Sequence, residues 1–445
     1  MLLCACALVF VVLVRPAYGI AIGLALSPLT NLGLNVGGSF GKPFHLLLPA
    51  LGFAVLGYGL LLGRGLRVHE QSVLQVTVLA FAATALAASL TALDPAHAVT
   101  KLFLVLAAAA IFFAVLQVCT DRHSLLVVTC GATVGLLIAA LQGIEERYRG
   151  ASGAIGFVSG GHFVARVQGS FGHPNQYGGF LAFLIPVAAL LALSSAVPRW
   201  MRIVAGTAVI LGVPALVFSY ARGAILALAI ASLVWCALRR PKLAIVAVLA
   251  AVAVAIFFTP SALRQRFNPR TGQQDVPLRA DIWGGAVDIY TRHPLLGVGL
   301  GNFSTAYASL PSTLANASQR RLLNQHGLIV PPNAQNLYLG VLAEEGIVGL
   351  AVLTLLGIVS ARIVWLGIRV RDAAGRAVAI GLGAGLIVLA IHGIFEVMLF
   401  SELAFPLFGL LAVVAGFVAL DRAKTNQAPP LQPAPAGAED TVRSP

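Results

Sequence analysis

The stretch Thr100–Val118, TKLFLVLAAAAIFFAVLQV, decides the class of fold. Apart from Lys101 near its start it carries no charged side chain. As an α-helix rising 1.5 Å per residue it would reach about 28 Å, close to the roughly 30 Å hydrocarbon core of a bilayer. Its apolar residues do not alternate with polar ones, as the strands of a membrane barrel would require. The stretch therefore predicts a transmembrane helix.

Similar stretches recur along the 445-residue chain, of which 59% is hydrophobic and only 10% is charged. Mean hydropathy is +0.91, and soluble domains carry roughly 25% charged residues. The sequence therefore predicts an all-α, polytopic helical membrane protein with about 12 transmembrane helices. The predicted helices are Met1–Leu26, His45–Leu62, Val73–Leu93, Thr100–Val118, Leu125–Ile144, Gln176–Ala196, Ile203–Phe218, Ala224–Leu238, Leu243–Phe258, Ile347–Ile368, Ala377–Phe400 and Leu403–Leu420.

Basic clusters in alternate connections predict how these spans are oriented. They are Arg64/Arg67, Arg122, Arg199/Arg202, Arg239/Arg240/Lys242, Arg369/Arg371/Arg376 and Arg422/Lys424. By the positive-inside rule, twelve spans place all six clusters and both termini in the cytoplasm. The net charge of +13 then reflects topology and anionic phosphates rather than nucleic acid, because no soluble domain gathers the basic residues. Residues 1–420 form one transmembrane domain, and the Pro/Ala-rich residues 421–445 form a disordered cytoplasmic tail.

Two connections on the predicted outer side, about 145–175 and 259–336, are long. The second is too long for an ordinary connection and is predicted to be functional, a large periplasmic loop. Within it, Ile282, Trp283, Ala286, Val287 and Tyr290 have helical spacing. This spacing predicts an amphipathic helix on the membrane or over a cavity, ending near His293-Pro294.

Arginines are abundant on this outer side, where the positive-inside rule expects few. Long loops translocate regardless of charge, but Arg166 lies in a shorter loop and Arg222 lies between two short helices. An arginine at the lip of a bundle is costly unless it faces a partner or a wet cavity. Snorkelling to lipid headgroups, or pairing with Glu145 and Glu146, is the alternative. Guanidinium forks match phosphate oxygens bidentately, so Arg166 and Arg222 predict a phosphate clamp.

The segment Arg166–Leu181, RVQGSFGHPNQYGGFL, supports this interpretation. Its glycines keep the backbone accessible, and His173 and Asn175 supply polar groups where a helix begins, a position that favours anions. The chain has no nucleotide-binding loop, no Asp-x-Asp pair and no zinc-type His/Cys cluster. The sequence predicts no metal and no cofactor, and an activated lipid donor would fit chemistry outside the cytoplasm.

Four stretches, in this order, resemble the O-antigen ligase and O-antigen polymerase superfamily of bacterial envelope glycosyltransferases. They are RVQGSFGHPNQYGGFL (166–181), SYARGAILAL (219–228), RADIWGGAVDIYTRHPLLGVGLGNF (279–303) and NAQNLYLGVLAEEGIVGL (333–350). The span count and the late external loop agree with the resemblance, which covers roughly Arg166–Leu350. The flanking helices agree only in hydropathy.

The resemblance implies a metal-independent, inverting glycosyl transfer at the periplasmic face of the bacterial inner membrane. The donor is a glycan on undecaprenyl pyrophosphate, and the acceptor is a hydroxyl of lipid A-core, of a glycan or of a protein. Arg166 and Arg222 match the family's first two motif arginines, and Arg279 matches the arginine that heads the loop helix. A ligase is favoured slightly over a polymerase or a protein O-oligosaccharyltransferase. A lipid-linked glycan flippase using the same arginines is the rival from another class, although the sequence shows no inverted repeat.

The late motif departs from the family pattern at one position. The family has His-Asn-x-x-Leu, whereas this chain has Gln335-Asn336 followed by Leu339. A neutral amide can orient a hydroxyl but cannot take its proton. Three explanations stay open: a substitute base, either His326 (favoured) or Glu344/Glu345; reliance on arginine stabilisation of the leaving pyrophosphate; or an inactive member. Glu344 lies eight residues after Asn336, roughly 12 Å along a helix, which counts against direct contact with Gln335.

Further polar residues complete the predicted site. Asn336 joins Arg166, Arg222, Arg279, His173 and Asn175 as candidates for binding pyrophosphate or glycan. Glu344 and Glu345, placed near the outer interface ahead of an apolar span that begins at Ile347, could hold arginines or simply be solvated. His392 and Glu396 form an i, i+4 pair inside or near a span, and intramembrane ionisable pairs are functional candidates.

Overall fold

The structure, a computed structural model, describes residues 14–29, 34–36, 39–41, 50, 52–57, 72–150, 155–159, 162–239, 275–310 and 331–426. Its helices are α1 (Pro16–Leu26), α2 (Ser72–Leu90), α3 (Pro95–Val118), α4 (Arg122–Arg149), α5 (Pro174–Leu193), α6 (Arg199–Phe218), α7 (Arg222–Arg239), α8 (Asp275–Arg292), α9 (Phe303–Ala308), α10 (Leu337–Gly367), α11 (Ala373–His392) and α12 (Ala404–Asn426). Two short antiparallel hairpins join β1 (Leu34–Val36) to β2 (Ser39–Gly41) and β3 (Gly156–Ser159) to β4 (His162–Ala165).

The fold is all-α and polytopic, as predicted. Within the described ranges, eight helices are long and apolar enough to cross a membrane: α2, α3, α4, α5, α6, α10, α11 and α12. The predicted count of twelve is not confirmed. The predicted span Leu243–Phe258 and most of His45–Leu62 lie outside the described residues, while α1 and the apolar part of α7 are shorter helices.

Local sequence signals explain where several helices begin. Asp94 accepts hydrogen bonds from the N–H groups of Ala96 and His97 and so caps α3, whose first residue is proline. Asn336 caps α10 through the N–H groups of Tyr338 and Leu339. Both are residue types that satisfy the unpaired N–H groups of a first helical turn.

Small residues let the central helices approach closely, as is common in membrane bundles. A Cβ atom at Gly131 in α4 would lie 2.3 Å from the carbonyl oxygen of Ala21 in α1. One at Gly381 in α11 would lie 2.5 Å from the Cα of Val187 in α5. Helix α5 is packed among α4, α6, α7 and α11, so its N-terminus is held by several neighbours at once.

One end of the bundle, here called the basic end, gathers predicted cytoplasmic arginines. Arg122 Nε donates to Asp372 Oδ2 at 2.6 Å, and its Nη2 donates to the carbonyl of Ala196 at 2.5 Å. The N–H of Arg371 donates to Asp421 Oδ1 at 2.9 Å. These contacts join the start of α4, the α5–α6 and α10–α11 connections and the end of α12. The sidedness of this end in a membrane stays a prediction.

The other end, here called the loop end, carries helices α8 and α9. They form a small separate core in which Ile282, Ala286 and Ile289 are buried beside Phe303. Helix α8 ends at Arg292, as the sequence predicted. Of the predicted apolar face, Ile282 and Ala286 are buried in this core, whereas Val287 is 45% exposed. The buried stripe follows positions i, i+4 and i+7, and Val287 is turned about 100° away from Ala286.

Two predicted boundaries also need correction. Helix α11 ends at His392 rather than near Phe400, because the chain turns at Gly393; Glu396 therefore follows the helix instead of forming an i, i+4 pair within it. Helix α12 continues through Asn426, so residues 421–426 are helical and are not part of a disordered tail. Residues 427–445 lie outside the described residues.

Candidate functional site

Arg166 follows β4 and its side chain is buried, with only 6% of the residue exposed. Its Nε donates to the carbonyl oxygen of Ser219 at 2.9 Å, and its Nη2 donates to Asn175 Oδ1 at 2.6 Å. The next residue, Val167, donates its N–H to the carbonyl of Phe218. Arg166 thus links the turn after α6 to the start of α5. This contrasts with snorkelling to headgroups, which would leave the guanidinium exposed.

Asn175, in the first turn of α5, contacts four polar partners. Its N–H donates to Nδ1 of His173, which caps the helix, and its carbonyl oxygen lies 3.1 Å from Nε2 of His392. Its side chain accepts from Arg166 and is hydrogen bonded to Glu396. The amide therefore bridges a guanidinium and a carboxylate. The predicted role of Asn175 in binding pyrophosphate or glycan stays a prediction.

The turn after α11 places Glu396 at the centre of these groups. Glu396 is 3% exposed, and its Oε2 lies 3.5 Å from Nδ1 of His173. From the external helix α8, the guanidinium of Arg279 lies 5.6 Å from the ring centroid of Phe395, within the range of a cation–π contact. We call Arg166, His173, Asn175, Arg279, His392 and Glu396 the polar cluster.

Opposing effects act on the Glu396 carboxyl. Burial raises its pKa above the usual range, because a low-dielectric surrounding disfavours the charged form. Hydrogen bonds from the Val397 N–H and the Asn175 side chain oppose that shift, as do the charges of Arg279 and Arg166. Both arginines are therefore close enough for their charge to reach the same buried carboxyl.

Arg222 is the first residue of α7 and follows the turn that Arg166 holds. The next residue, Gly223, packs on the polar cluster: a Cβ atom there would lie 2.9 Å from Nδ1 of His392 and 3.2 Å from Phe395. His392 is 1% exposed, and its Nδ1 has no hydrogen-bond partner among the described residues. The segments that carry Arg166, Arg222 and Arg279 therefore meet at one site around the 392–397 turn.

Gln335 and Asn336 lie beside this turn. The N–H of Leu337 donates to the carbonyl of Gly393 at 2.7 Å, which fixes the start of α10 against the end of α11. Gln335 has φ of 48° and donates its N–H to Asn333 Oδ1 at 2.8 Å. Asn336 is buried and its side-chain oxygen caps α10.

Glu344 and Glu345 are buried, which excludes simple solvation, one of the two alternatives left open by the sequence. Helix α10 begins at Leu337, ten residues before the predicted span, and Glu345 is fully buried while Glu344 is 9% exposed. The carboxylate of Glu344 accepts backbone N–H groups of Gly301 and Phe303. Both oxygens of Glu345 lack a hydrogen-bond partner among the described residues.

The helical backbone is interrupted beside these acids, and the loop after α8 provides hydrogen-bond partners for its free N–H and C=O groups. Gly346 has φ of 67° and interrupts α10. The N–H groups of Ile347 and Val348 bond to the carbonyls of Pro294 and Leu295. The N–H groups of residues 298 and 299 bond to the carbonyls of residues 343 and 344. A break in a helix of a membrane bundle needs such partners for its backbone groups, and here they attach the segment after α8 to α10.

Sequence reasoning did not predict that the parts of the site meet at the 392–397 turn. The signal available was a glycine between His392 and Glu396 in an otherwise apolar run. The same reasoning considered Glu146 only as an ion-pair partner for arginines and missed that its carboxylate accepts the N–H groups of Gln168 and Gly169, which holds the segment after Arg166. His326 lies outside the described residues, and its role as a base stays a prediction.

An apolar crevice of about 300 Å³ lies at the basic end, away from the polar cluster. The described residues that line it belong to α2, α3, the segment just after α3 and α12, among them Leu74, Cys119 and Ala423, and none of them is charged. Within the described ranges, no group of three or more His, Cys, Asp or Glu residues could hold a metal ion.

The fold and site define a multi-pass helical membrane protein with a polar, arginine-containing site at the loop end. Residues 207–354 match the family model described as O-antigen ligase, and a comparison with curated proteins gave no match. Over residues 207–354, the family match supports the resemblance to the O-antigen ligase and polymerase superfamily. The matched segment contains Arg222, Arg279, Gln335 and Asn336 and leaves out Arg166, His173, His392 and Glu396.

Proposed function

We propose that this protein is a glycosyltransferase that moves a glycan from undecaprenyl pyrophosphate to an acceptor hydroxyl. The reaction takes place at the periplasmic face of the bacterial inner membrane, with lipid A-core or a similar molecule as the acceptor. The transfer inverts the anomeric carbon and uses no metal. The family match supports the class of reaction; the donor, the acceptor and the mechanism are the proposal.

The observation that carries the proposal is the meeting of three arginine-bearing segments around one turn. Arg166 joins it through Asn175, and Arg279 lies over Phe395 from α8. Arg222 directly precedes Gly223, which packs on the turn from the start of α7. Cations gathered at the end of an apolar bundle call for anions, and Glu396 is one of them. A lipid-linked pyrophosphate would add further anionic oxygens at the membrane surface, and guanidinium groups bind such oxygens bidentately.

In this reaction the arginines hold the pyrophosphate and stabilise the charge that grows on it as the sugar leaves. Asn175 and Glu396 fix Arg166 through hydrogen bonds and charge. To Asn336 and Gln335, next to the Leu337 N–H that bonds the carbonyl of Gly393, we assign the role of orienting the glycan or the acceptor hydroxyl.

The test is glycan transfer in a bacterial strain that lacks its endogenous ligase. Wild type, Arg166→Lys, Arg222→Lys and Arg222→Ala are expressed at equal membrane abundance, and surface polysaccharide is separated by size and probed for attachment to lipid A-core. We expect wild type to restore attached glycan. Both lysine variants should lose most of the transfer, because an ammonium cannot reproduce the bidentate fork. Arg202→Lys is the matched control, since Arg202 lies at the basic end and donates to the Ala192 carbonyl.

Each other outcome has a distinct meaning. Longer but unattached chains from wild type would identify a polymerase. Movement of lipid-linked glycan across the membrane without any covalent transfer would identify a flippase. Near-normal transfer by both lysine variants would refute the phosphate clamp.

A further inference from the structure

His173 is placed differently from every other histidine whose side chain the structure describes. About 36% of its side chain is exposed, and Nδ1 faces the buried Glu396 carboxylate at 3.5 Å. His392 is buried, His123 lies at the basic end beside Tyr18, and His293 is exposed after α8. His97 is exposed and paired with Asp94 away from the polar cluster. Only His173, in this part of the chain, combines exposure, a carboxylate partner and proximity to the arginines.

The described part of the chain offers few proton acceptors near the polar cluster. Gln335, beside the 392–397 turn, cannot serve as one, because an amide does not take a proton. The two glutamates considered as substitute bases are not available. Glu344 binds the backbone of residues 301–303, and Glu345, next to Glu344 in α10, is fully buried. A histidine with a carboxylate behind it is the commonest arrangement for general base catalysis.

Resting on the transfer reaction proposed above, we propose that His173 is the catalytic base that deprotonates the acceptor hydroxyl, with Glu396 as the carboxylate that orients and supports its ring. The inference adds a catalytic role that the family match does not assign, since residue 173 lies outside the matched segment.

The chemistry follows from the two nitrogens of the ring. With its proton on Nδ1, toward Glu396, the ring presents a lone pair on Nε2. The acceptor O–H proton passes to Nε2 while the acceptor oxygen bonds to C1 of the donor sugar. The C1–O bond to the pyrophosphate breaks, and its electron pair leaves with the pyrophosphate toward the arginines. Glu396 balances the imidazolium, which then returns its proton to water.

The His173 ring has a second tautomer, in which it only caps α5, and the experiment must distinguish this capping role from the role of a base. Nδ1 also lies 3.1 Å from the Asn175 N–H, so the opposite tautomer caps α5 and turns Nε2 into a donor. A role limited to capping would survive replacement by asparagine, which is a strong capping residue. A base would not, because asparagine cannot accept a proton. The 3.5 Å separation from Glu396 fits a site whose catalytic hydrogen bonds tighten when substrate binds.

The experiment compares His173→Asn with wild type in membranes loaded with the host's own lipid-linked glycan. Single-turnover transfer to the acceptor is followed against pH, and binding of undecaprenyl pyrophosphate to the purified protein is measured in parallel. We expect His173→Asn to bind undecaprenyl pyrophosphate within about threefold of wild type and to transfer about 100-fold more slowly or worse. Added imidazole should restore part of the transfer in His173→Gly, and it should not help Arg222→Ala.

Glu396→Gln tests the supporting carboxylate. Among the described residues, Glu396 faces the ring, the charges of Arg166 and Arg279 act on Glu396, and His392 contacts the neighbouring Asn175 carbonyl. Replacing the only anion among them disfavours the imidazolium, so the acid limb of the rate–pH profile should move to lower pH and the plateau rate should fall. A merely structural role of Glu396 would lower the rate without moving that limb.

The matched control is His97→Asn, which alters an exposed His–Asp pair of 2.9 Å outside the polar cluster; transfer should be unchanged. If His173→Asn transfers within twofold of wild type, the base assignment is overturned while the proposed transfer reaction stands. Loss of transfer in His326→Asn together with an active His173→Asn would assign the base to His326 instead. If wild type itself transfers nothing, it is the proposed function that fails.

Discussion

Glu344 accepts a hydrogen bond from the backbone N–H of Gly301 at 2.8 Å, through its Oε2. Its Oε1 accepts from the N–H of Phe303 at 3.1 Å, so one buried side chain binds the loop after α8 at two points. Because α8 carries Arg279, this carboxylate fixes the external helices relative to the polar cluster. The acid that the sequence placed at a helix entrance is thus a structural anchor.

Glu344→Gln should destabilise the protein. The substituted amide can accept only one of the two N–H groups and turns a donor toward the other, which leaves a buried donor unsatisfied at a cost of about 1–3 kcal/mol. The measurement is the thermal unfolding midpoint in detergent, with Glu145→Gln as the control. Glu145 forms an exposed pair with Arg149, and its loss should change little. A wild-type midpoint for Glu344→Gln would contradict the anchoring role.

Gly223→Ala should impair both folding and transfer. Its Cβ would lie 2.9 Å from Nδ1 of His392 and 3.2 Å from Phe395, so the 392–397 turn must shift, at a cost of about 1–3 kcal/mol. The unfolding midpoint and glycan transfer should both fall. Gly357→Ala in α10 is the control, because nothing lies within 4 Å of a Cβ there and alanine favours helix.

A double mutant shows whether the clash with His392 is the cause. His392→Ala removes the obstructing ring, so adding Gly223→Ala to it should cost less than the two single changes together. Strict additivity of the unfolding free energies would show instead that Gly223 matters through some other neighbour.

Periodicity and composition were enough to predict the class of fold and most of the spans. Long uncharged runs leave few alternatives to a membrane helix, and the eight spans observed agree with eight of those predicted. The ends of helices were harder. His392 and Phe400 belong to one apolar run in the sequence, yet the chain turns at Gly393. Hydropathy alone does not predict that turn.

The site was predicted in composition but not in arrangement. Arg166, His173, Asn175, His392 and Glu396 were each singled out for being polar near an apolar run, and they lie together in the structure. Their partners could not be predicted, since the contact between Asn175 and His392 joins residues 217 positions apart. The position of Glu344 could not be predicted either, because its two partners are backbone N–H groups, which the pattern of side chains in the sequence does not reveal.

Glu396→Gln should change stability in a pH-dependent way. Burial raises the pKa of Glu396 in the folded protein, although hydrogen bonds and the two arginines oppose the shift. A carboxyl whose folded pKa is raised contributes stability below its unfolded value of about 4.3, and this contribution is lost as pH rises through the folded pKa. Glutamine does not titrate, so the midpoint of the variant should improve relative to wild type as pH rises from about 4 to 8. If the difference in unfolding midpoint between Glu396→Gln and wild type did not change with pH, the raised pKa of Glu396 would be contradicted.

Asp372→Asn should show the opposite pH dependence at the basic end. Burial alone would raise the pKa of Asp372, but hydrogen bonds from the Gly375 N–H and from Arg122, with the charge of Arg122, lower it below the usual range. The resulting stability is present above the unfolded value of about 3.9 and is lost as pH falls through the folded pKa. Asparagine keeps the cap on α11, since its oxygen can still accept from Gly375, and removes only the charge.

The variant should therefore unfold at a lower temperature than wild type near pH 7 and approach wild type in acid. The ion pair is partly exposed, with 41% of the Arg122 side chain and 26% of the Asp372 side chain accessible, so the loss should be about 0.2–1 kcal/mol and should shrink in high salt. Unfolding midpoints at two pH values and two salt concentrations provide the check. A loss that persists unchanged in acid and in salt would mean that Asp372 acts through its cap and packing rather than through its charge.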